Sequence, residues 1–235
     1  MKRPGSKGEQ LAQERFDTSR RARAFYDKQM LSHLNARMRD FIALQEMVFI
    51  ATADAQGECD CSFRAGPAGF VAVLDAKTVV YPEYRGNGVM ASVGNMLENP
   101  HIGLNFIDFL DSTVGLHVNG RARIVDGSSL EAWSGRRQVI PRDPSGRVPE
   151  CWVVVDVQEA YIHCSKHIPL LHRSDKELHW GTDDLRRKGG DYFGVRVDRR
   201  PAPSERTDSP PHRERRGGPH VGADAGAEED ECAQP

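Results

Sequence analysis

The sequence has no apolar run of the ~20 residues that a membrane-crossing helix needs, so no membrane partner is expected. Behind its first residues, Met1-Lys2-Arg3-Pro4-Gly5, there is no apolar segment of the kind that makes a secretory signal. Cysteine is scarce and odd in number, five in 235 residues, which does not suggest a disulfide framework. A reduced, cytoplasmic protein is the expectation. Neither sign of charge dominates: Lys+Arg 32 against Asp+Glu 34 leaves a formal net charge of -2. The overall charge therefore argues for neither nucleic acid nor a membrane surface. The arginine-rich stretch from Arg15 to Arg39 is interrupted by Asp17 and Asp27 and flanked by Glu14 and Asp40, as a solvated helix face is. It lacks the aromatic platform of a single-strand binder. Internal repeats are absent.

What is present divides into three parts: a helical arm over 1–46, a β-rich domain over 47–180 and a tail over 199–235. From Glu9 to Gln45 the pattern is helical, with Leu31, Leu34, Met38, Phe41 and Ile42 forming an apolar stripe. No Gly or Pro marks a boundary inside it. At Met47 the period changes to that of strands. Strands are expected at Met47–Ala53, Glu58–Ala65, Phe70–Leu74, Thr78–Tyr81, His101–Phe109, Thr113–Val125 and Cys151–Ile162. Asn119-Gly120 reads as a bulge or bend. A short helix is expected from Ser128, a loop over 134–149, and disorder in the Pro/Gly/charge-rich tail. Most of these strands are joined by short turns, with one helix between the fourth and fifth. That arrangement predicts a mostly β protein: a six- to seven-stranded antiparallel barrel with flanking helices.

The stretch Tyr81–Pro100 (YPEYRGNGVMASVGNMLENP) stands out. A strand turns through Arg85-Gly86-Asn87-Gly88 into a helix that stops at Asn99-Pro100. Free amides at a helix start and the helix dipole favour an anion there. The glycines also have a plain role in a turn that needs positive φ. On the strand Glu58–Ala65, Ser62 and Arg64 share one face with Asp60. That face is either a solvated row of charges or a wall against a ligand; Arg85 offers a second guanidinium that could bracket a phosphate with Arg64. Cys59 and Cys61 lie together on the other face. The C-x-C spacing is wrong for a zinc knuckle, so no metal is expected, and the pair reads as small buried side chains. His101 and His117 read as satisfied structural histidines.

Taken in order, the segments FIATAD, CDCSFRAGPAGFVAVLD, TVVYPEYRGNG, ASVGNMLENPHIGLNFIDF and LHVNGRARIV resemble the pyridoxamine 5'-phosphate oxidase-like family. The resemblance covers about residues 40–175. It implies an FMN-binding split β-barrel, a homodimer with flavin at the subunit interface, and a small-molecule substrate. Carried over by motif, Ser62, Arg64 and Ala65 match the strand along the flavin, and Arg85, Gly86 and Asn87 the phosphate-binding turn. Asn95 falls in the GNMLENP segment, and Asn119 and Arg121 in the strand returning beside the site. The arginine and tryptophan signature that clasps pyridoxamine phosphate is not recognisable. The segment from His163 through Ser174 instead resembles a broader branch of the family. The resemblance therefore implies an oxidoreductase passing hydride or electrons from a reduced nicotinamide or deazaflavin to a small acceptor, with no side chain named as catalytic. The alternative is a non-catalytic flavin- or haem-binding protein of the same fold.

Overall fold

The computed structural model describes residues 4–127, 130, 149–176, 179, 182, 184–187 and 190–198. Two compact units divide the chain, Met1–Lys188 and Gly189–Pro235. In the second, the described residues hold one short helix, Val195–Asp198, begun by Asp191, whose carboxylate accepts from the amides of Val195 and Arg196 at 2.9 Å each. The expected disordered tail lies outside the described residues, and the helix expected from Ser128 lies largely outside them.

In the first unit the helical stretch over 9–45 is three helices and not one. Helix α1 (Lys7–Arg15) begins with a capping box between Ser6 and Glu9. Asp17, with φ of 50°, turns the chain out of it. Helix α2 (Ser19–Gln29) runs into the two-residue strand β1 (Met30–Leu31). Helix α3 (Ala36–Leu44) starts afresh at Asn35, whose side-chain oxygen accepts from the Met38 amide at 2.9 Å. The stripe splits accordingly. Leu34 and Ile42 are wholly buried in the core, while Leu31 pairs with Ala160 on the sheet. The sequence could not show this, because side-chain caps and strand pairing break the helix without Gly or Pro.

The strands are β2 (Met47–Ala53), β3 (Cys59–Ala65), β4 (Ala72–Asp75), β5 (Thr78–Glu83), β6 (His101–Ile107), β7 (Gly115–Val125) and β8 (Cys151–His163). Helix α4 (Ala91–Glu98) lies between β5 and β6. All pairs are antiparallel, in the order β3-β2-β6-β7-β8-β5-β4, with β1 added to β8. This is the split barrel with flanking helices. The two longest strands, β7 and β8, run through both halves. The register shifts between Asn119 and Gly120, at the expected bulge. At Gly120 a Cβ would fall on the Asp156 carbonyl oxygen, so only glycine allows this approach.

Alternation sets the inside of the barrel. Val48 and Ile50 on β2, Ile102, Leu104 and Phe106 on β6, and Leu116 and Val118 on β7 point inward and are buried. A second cluster, Ala72, Val80, Leu130, Trp152 and Val154, covers the other face of β4, β5 and β8. Helix α4 plugs the barrel with Val93 and Met96. The ends of the sheet path, β3 and β4, share no backbone pairing among the described residues. The split they leave is where the site lies.

Candidate functional site

Beside the split is a cavity of about 990 Å³. One wall is the inward face of β3, Asp60, Ser62 and Arg64. The end of β5 and the 84–90 turn form the second, and the start of α4 the floor. Met47, Phe49, Phe63, Phe109, Leu110 and Leu171 supply apolar surface. Leu171 is tied down by its amide, which donates to the Phe109 carbonyl at 2.7 Å. Two residues on, Arg173 meets Glu46 at 2.6 Å. The chain after the barrel is thus fastened along the cavity rim.

The corner itself is built locally. Strand β5 continues to Glu83, two residues beyond its expected end, because Pro82 and Glu83 pair with Trp152 and Cys151. The Asn87 side-chain oxygen then accepts from the Val89 amide at 3.0 Å, closing a turn. Gly88 (φ 82°) and Met90 (φ 56°) take the left-handed conformation. Met90 is the N-cap of α4, and no side chain caps the helix start. Around Gly86 and Gly88 an added Cβ would meet nothing within 4 Å. The corner is therefore open and rich in amides, with Arg85 at its edge.

The β3 wall has a different character. Arg64 reaches across the split to Glu83, with Nε 3.0 Å from Oε2 and Nη2 2.9 Å from Oε1. Its Nη1 donates to the Phe63 carbonyl at 3.1 Å, and Nη2 also reaches Ser92 Oγ at 3.4 Å. Asp60 Oδ2 accepts from Ser62 Oγ at 2.9 Å and from Ser92 Oγ at 2.8 Å. The Glu83 side chain is only 9% exposed. Next in line is Tyr81, wholly buried, with its hydroxyl unpartnered. Burial, reinforced by the charge of Glu83, pushes its phenol far up, so it stays neutral. Burial also pushes up the half-buried Cys151 thiol, with Glu83 and Glu150 adding to it, which disfavours the thiolate that nucleophilic chemistry needs.

Of the residues singled out in the sequence, Ser62, Arg64, Ala65, Arg85, Gly86 and Asn87 line this one cavity. The other three lie elsewhere. Asn95 is turned into the fold, where its Nδ2 donates to Thr52 Oγ1 at 3.1 Å. Asn119 and Arg121 are on the outer face of the sheet. Asn119 reaches Glu159 at 3.4 Å and lines a shallower depression of about 500 Å³, and Arg121 meets His101 Nε2 at 3.2 Å. Sequence reasoning missed Glu83, Glu46, Arg173 and Lys176 as lining residues. Only strand parity with Tyr81 could have pointed to Glu83; nothing local points to the others.

The cysteine expectation also changes. Cys59 and Cys61 are exposed, because the inward face of β3 belongs to Asp60, Ser62 and Arg64. They share the outer face with Phe63, whose ring sits 5.4 Å from that of Phe49. His117 is satisfied by His163, Nε2 to Nδ1 at 2.9 Å, and stacks on Tyr161. His101 is satisfied by Asn99 and Arg121 but is exposed. Among the described residues no group of three or more His, Cys, Asp or Glu side chains could hold a metal ion, and no helix is long and apolar enough to cross a membrane.

Residues 34–164 match the family model described as pyridoxamine 5'-phosphate oxidase. No curated protein matches the sequence. Among solved structures, HupZ of Group A Streptococcus is 22% identical, over 55% of this chain and 93% of its own, with a TM-score of 0.41. A Lactobacillus delbrueckii protein assigned as a pyridoxamine 5'-phosphate oxidase is 17% identical, over 57% and 98%, with a TM-score of 0.41. HutZ, the heme storage protein of Vibrio cholerae, is 16% identical, over 55% and 94%, with a TM-score of 0.37.

Proposed function

The chain belongs to the pyridoxamine 5'-phosphate oxidase family, and on that premise we propose that it is an FMN-binding oxidoreductase acting on a small molecule as a homodimer. The observation that carries this reading is the uncapped start of α4, opening through Gly86 and Gly88 onto a cavity of about 990 Å³. A phosphate monoester fits such a corner: amides and the helix dipole supply donors, absent side chains give access, and Arg85 adds charge. The volume suits a cofactor of flavin size, and Met47, Phe109, Leu110 and Leu171 offer apolar surface to a flat ring.

FMN, when bound, supplies the hydride or electron transfer. The chain's residues bind and orient it. Arg85, Gly86, Asn87 and the α4 amides take the phosphate end. Ser62, Arg64 and Ala65 flank the rest, and the rim from Leu171 to Arg173 narrows access for water. The outer face of β3 and β2, with Phe63 51% exposed beside Phe49, Cys59 and Cys61, is the surface a second copy would cover. On that face Asn119 and Arg121 lie outside this subunit's cavity.

The test is the absorbance of the purified protein with and without NADPH under anaerobic conditions. Flavin gives bands near ~450 nm and a haem protein a Soret band. Bleaching by NADPH supports turnover; flavin bands that do not bleach favour a carrier. A colourless protein that takes up no added FMN ends the flavin reading. In a fluorescence titration, Arg85→Ala should weaken FMN binding by roughly 10- to 150-fold, as loss of one charge-assisted contact does. Unchanged affinity removes Arg85 from the site.

A further inference from the structure

We infer that Glu83 is the charge filter of this cavity: it fills the Arg64 fork that a ligand phosphate would otherwise take, and so confines phosphate to the Arg85–Met90 corner. The inference deepens the flavin reading and rests on it for the identity of the ligand, though not for the phosphate measurement below.

A guanidinium has five N–H groups. Those of Arg64 meet both oxygens of Glu83, the Phe63 carbonyl and Ser92 Oγ, at 2.9 to 3.4 Å. One is left. The hydroxyl protons of Ser62 and Ser92 both point to Asp60 Oδ2, at 2.9 and 2.8 Å. The alternative for Ser92, donation to Ser62 Oγ at 3.3 Å, is longer. The wall that the sequence offers as a phosphate cradle is therefore self-satisfied. With Glu83 reaching over from β5, two carboxylates, Asp60 and Glu83, stand there against one guanidinium, which repels a phosphate dianion at close range.

To take the Arg64 fork with two contacts a phosphate would have to displace Glu83. That would strand a carboxylate with 9% of its side chain exposed. The corner has no such obstacle, since the α4 start has no side-chain cap and Gly86 and Gly88 leave open space. The two ends of the cavity thus have opposite characters. One presents donors to an anion; the other presents spent donors and the remaining lone pairs of two acids to whatever uncharged or donor-bearing part of the ligand lies there. Glu83 decides this, because it neutralises the guanidinium of the β3 wall.

The experiment compares FMN with riboflavin, which lacks the phosphate, on the full chain and on Glu83→Gln. That substitution removes the charge and keeps the shape, and the amide oxygen it introduces still accepts from Arg64. The preference for FMN over riboflavin should rise about tenfold in Glu83→Gln, the effect of one newly available charge-assisted contact. The gain should vanish in Glu83→Gln/Arg64→Gln. Asp60→Asn, which removes the other wall charge and keeps an oxygen for the two serines, should move the preference in the same direction and serves if Glu83→Gln fails to fold. In parallel, thermal unfolding in inorganic phosphate reads the same change without flavin: phosphate should stabilise the variants more than the wild type. A gain with phosphate in a protein that binds no flavin keeps this inference and ends the flavin reading. Flavin binding with no gain in either variant, or no gain with phosphate alone, overturns the inference.

Discussion

Replacing Arg64 by alanine should destabilise the ligand-free protein by about 2–4 kcal/mol. The figure follows from the geometry of the pair. Arg64 and Glu83 meet at two N···O contacts, 3.0 and 2.9 Å, with side chains 23% and 9% exposed. Removing one partner of a fully buried pair costs about 3–5 kcal/mol, because the other charge is left unpaired. Partial exposure of the arginine lowers that, since water entering the gap can solvate Glu83 in part. The pair also joins β3 to β5 where no backbone bonds do, so its loss loosens the split itself. Against a typical domain stability of about 5–15 kcal/mol this is a large share. At this size it corresponds to a drop in Tm of roughly 5–15 °C. Urea unfolding followed by circular dichroism measures it. Arg64→Met with Glu83→Leu removes both charges and should lose less than Arg64→Ala alone. If Arg64→Ala costs under about 0.5 kcal/mol, the pair behaves like one on the open surface. A self-satisfied β3 wall that excludes phosphate would then be ruled out as well.

Other positions give independent checks. Gly120→Ala puts a methyl on the Asp156 carbonyl and 2.9 Å from Val155 Cγ1, and backbone cannot move aside cheaply. We expect a loss of at least about 1–3 kcal/mol in the same urea assay, and a near-neutral result would mean the bulge can shift. His117 is held below its ordinary value of 6.5 by burial and by the charge of His163. The unfolded chain then takes up the proton first as pH falls, so stability should drop from about pH 6.5 towards the folded value and level off below it. A Tm series between about pH 7.5 and 5 should show this slope, shallower in His117→Gln; an identical slope in both removes His117 as its source.

The inward residues of β2, β6 and β7 alternate as written in the sequence, so the barrel was legible from side-chain parity alone. The Asn119-Gly120 bulge was legible for the same kind of reason, since glycine in a long strand run has few other uses. The arm was less so. Its helices end at Asp17 and restart at Asn35 through backbone angles and a side-chain cap, while β1 exists because Tyr161 and Ala160 lie beside it. Strand pairing of that sort joins residues some 130 positions apart and leaves no local mark.

In the site, the turn from Arg85 to Gly88 and the helix after it could be read from the chain alone, because glycine, asparagine and the strand before them fix local geometry whatever surrounds them. That Ser62, Arg64, Arg85 and Gly86 share a cavity was implied by the resemblance to the family. How their hydrogen bonds are spent did not. Arg64 and Glu83 are 19 positions apart and Asp60 and Ser92 32, and each pair meets because the barrel brings its split ends together under α4. A guanidinium in a sequence is a positive charge with five donors. Whether those donors face a ligand or a neighbouring acid depends on distances that the fold alone sets.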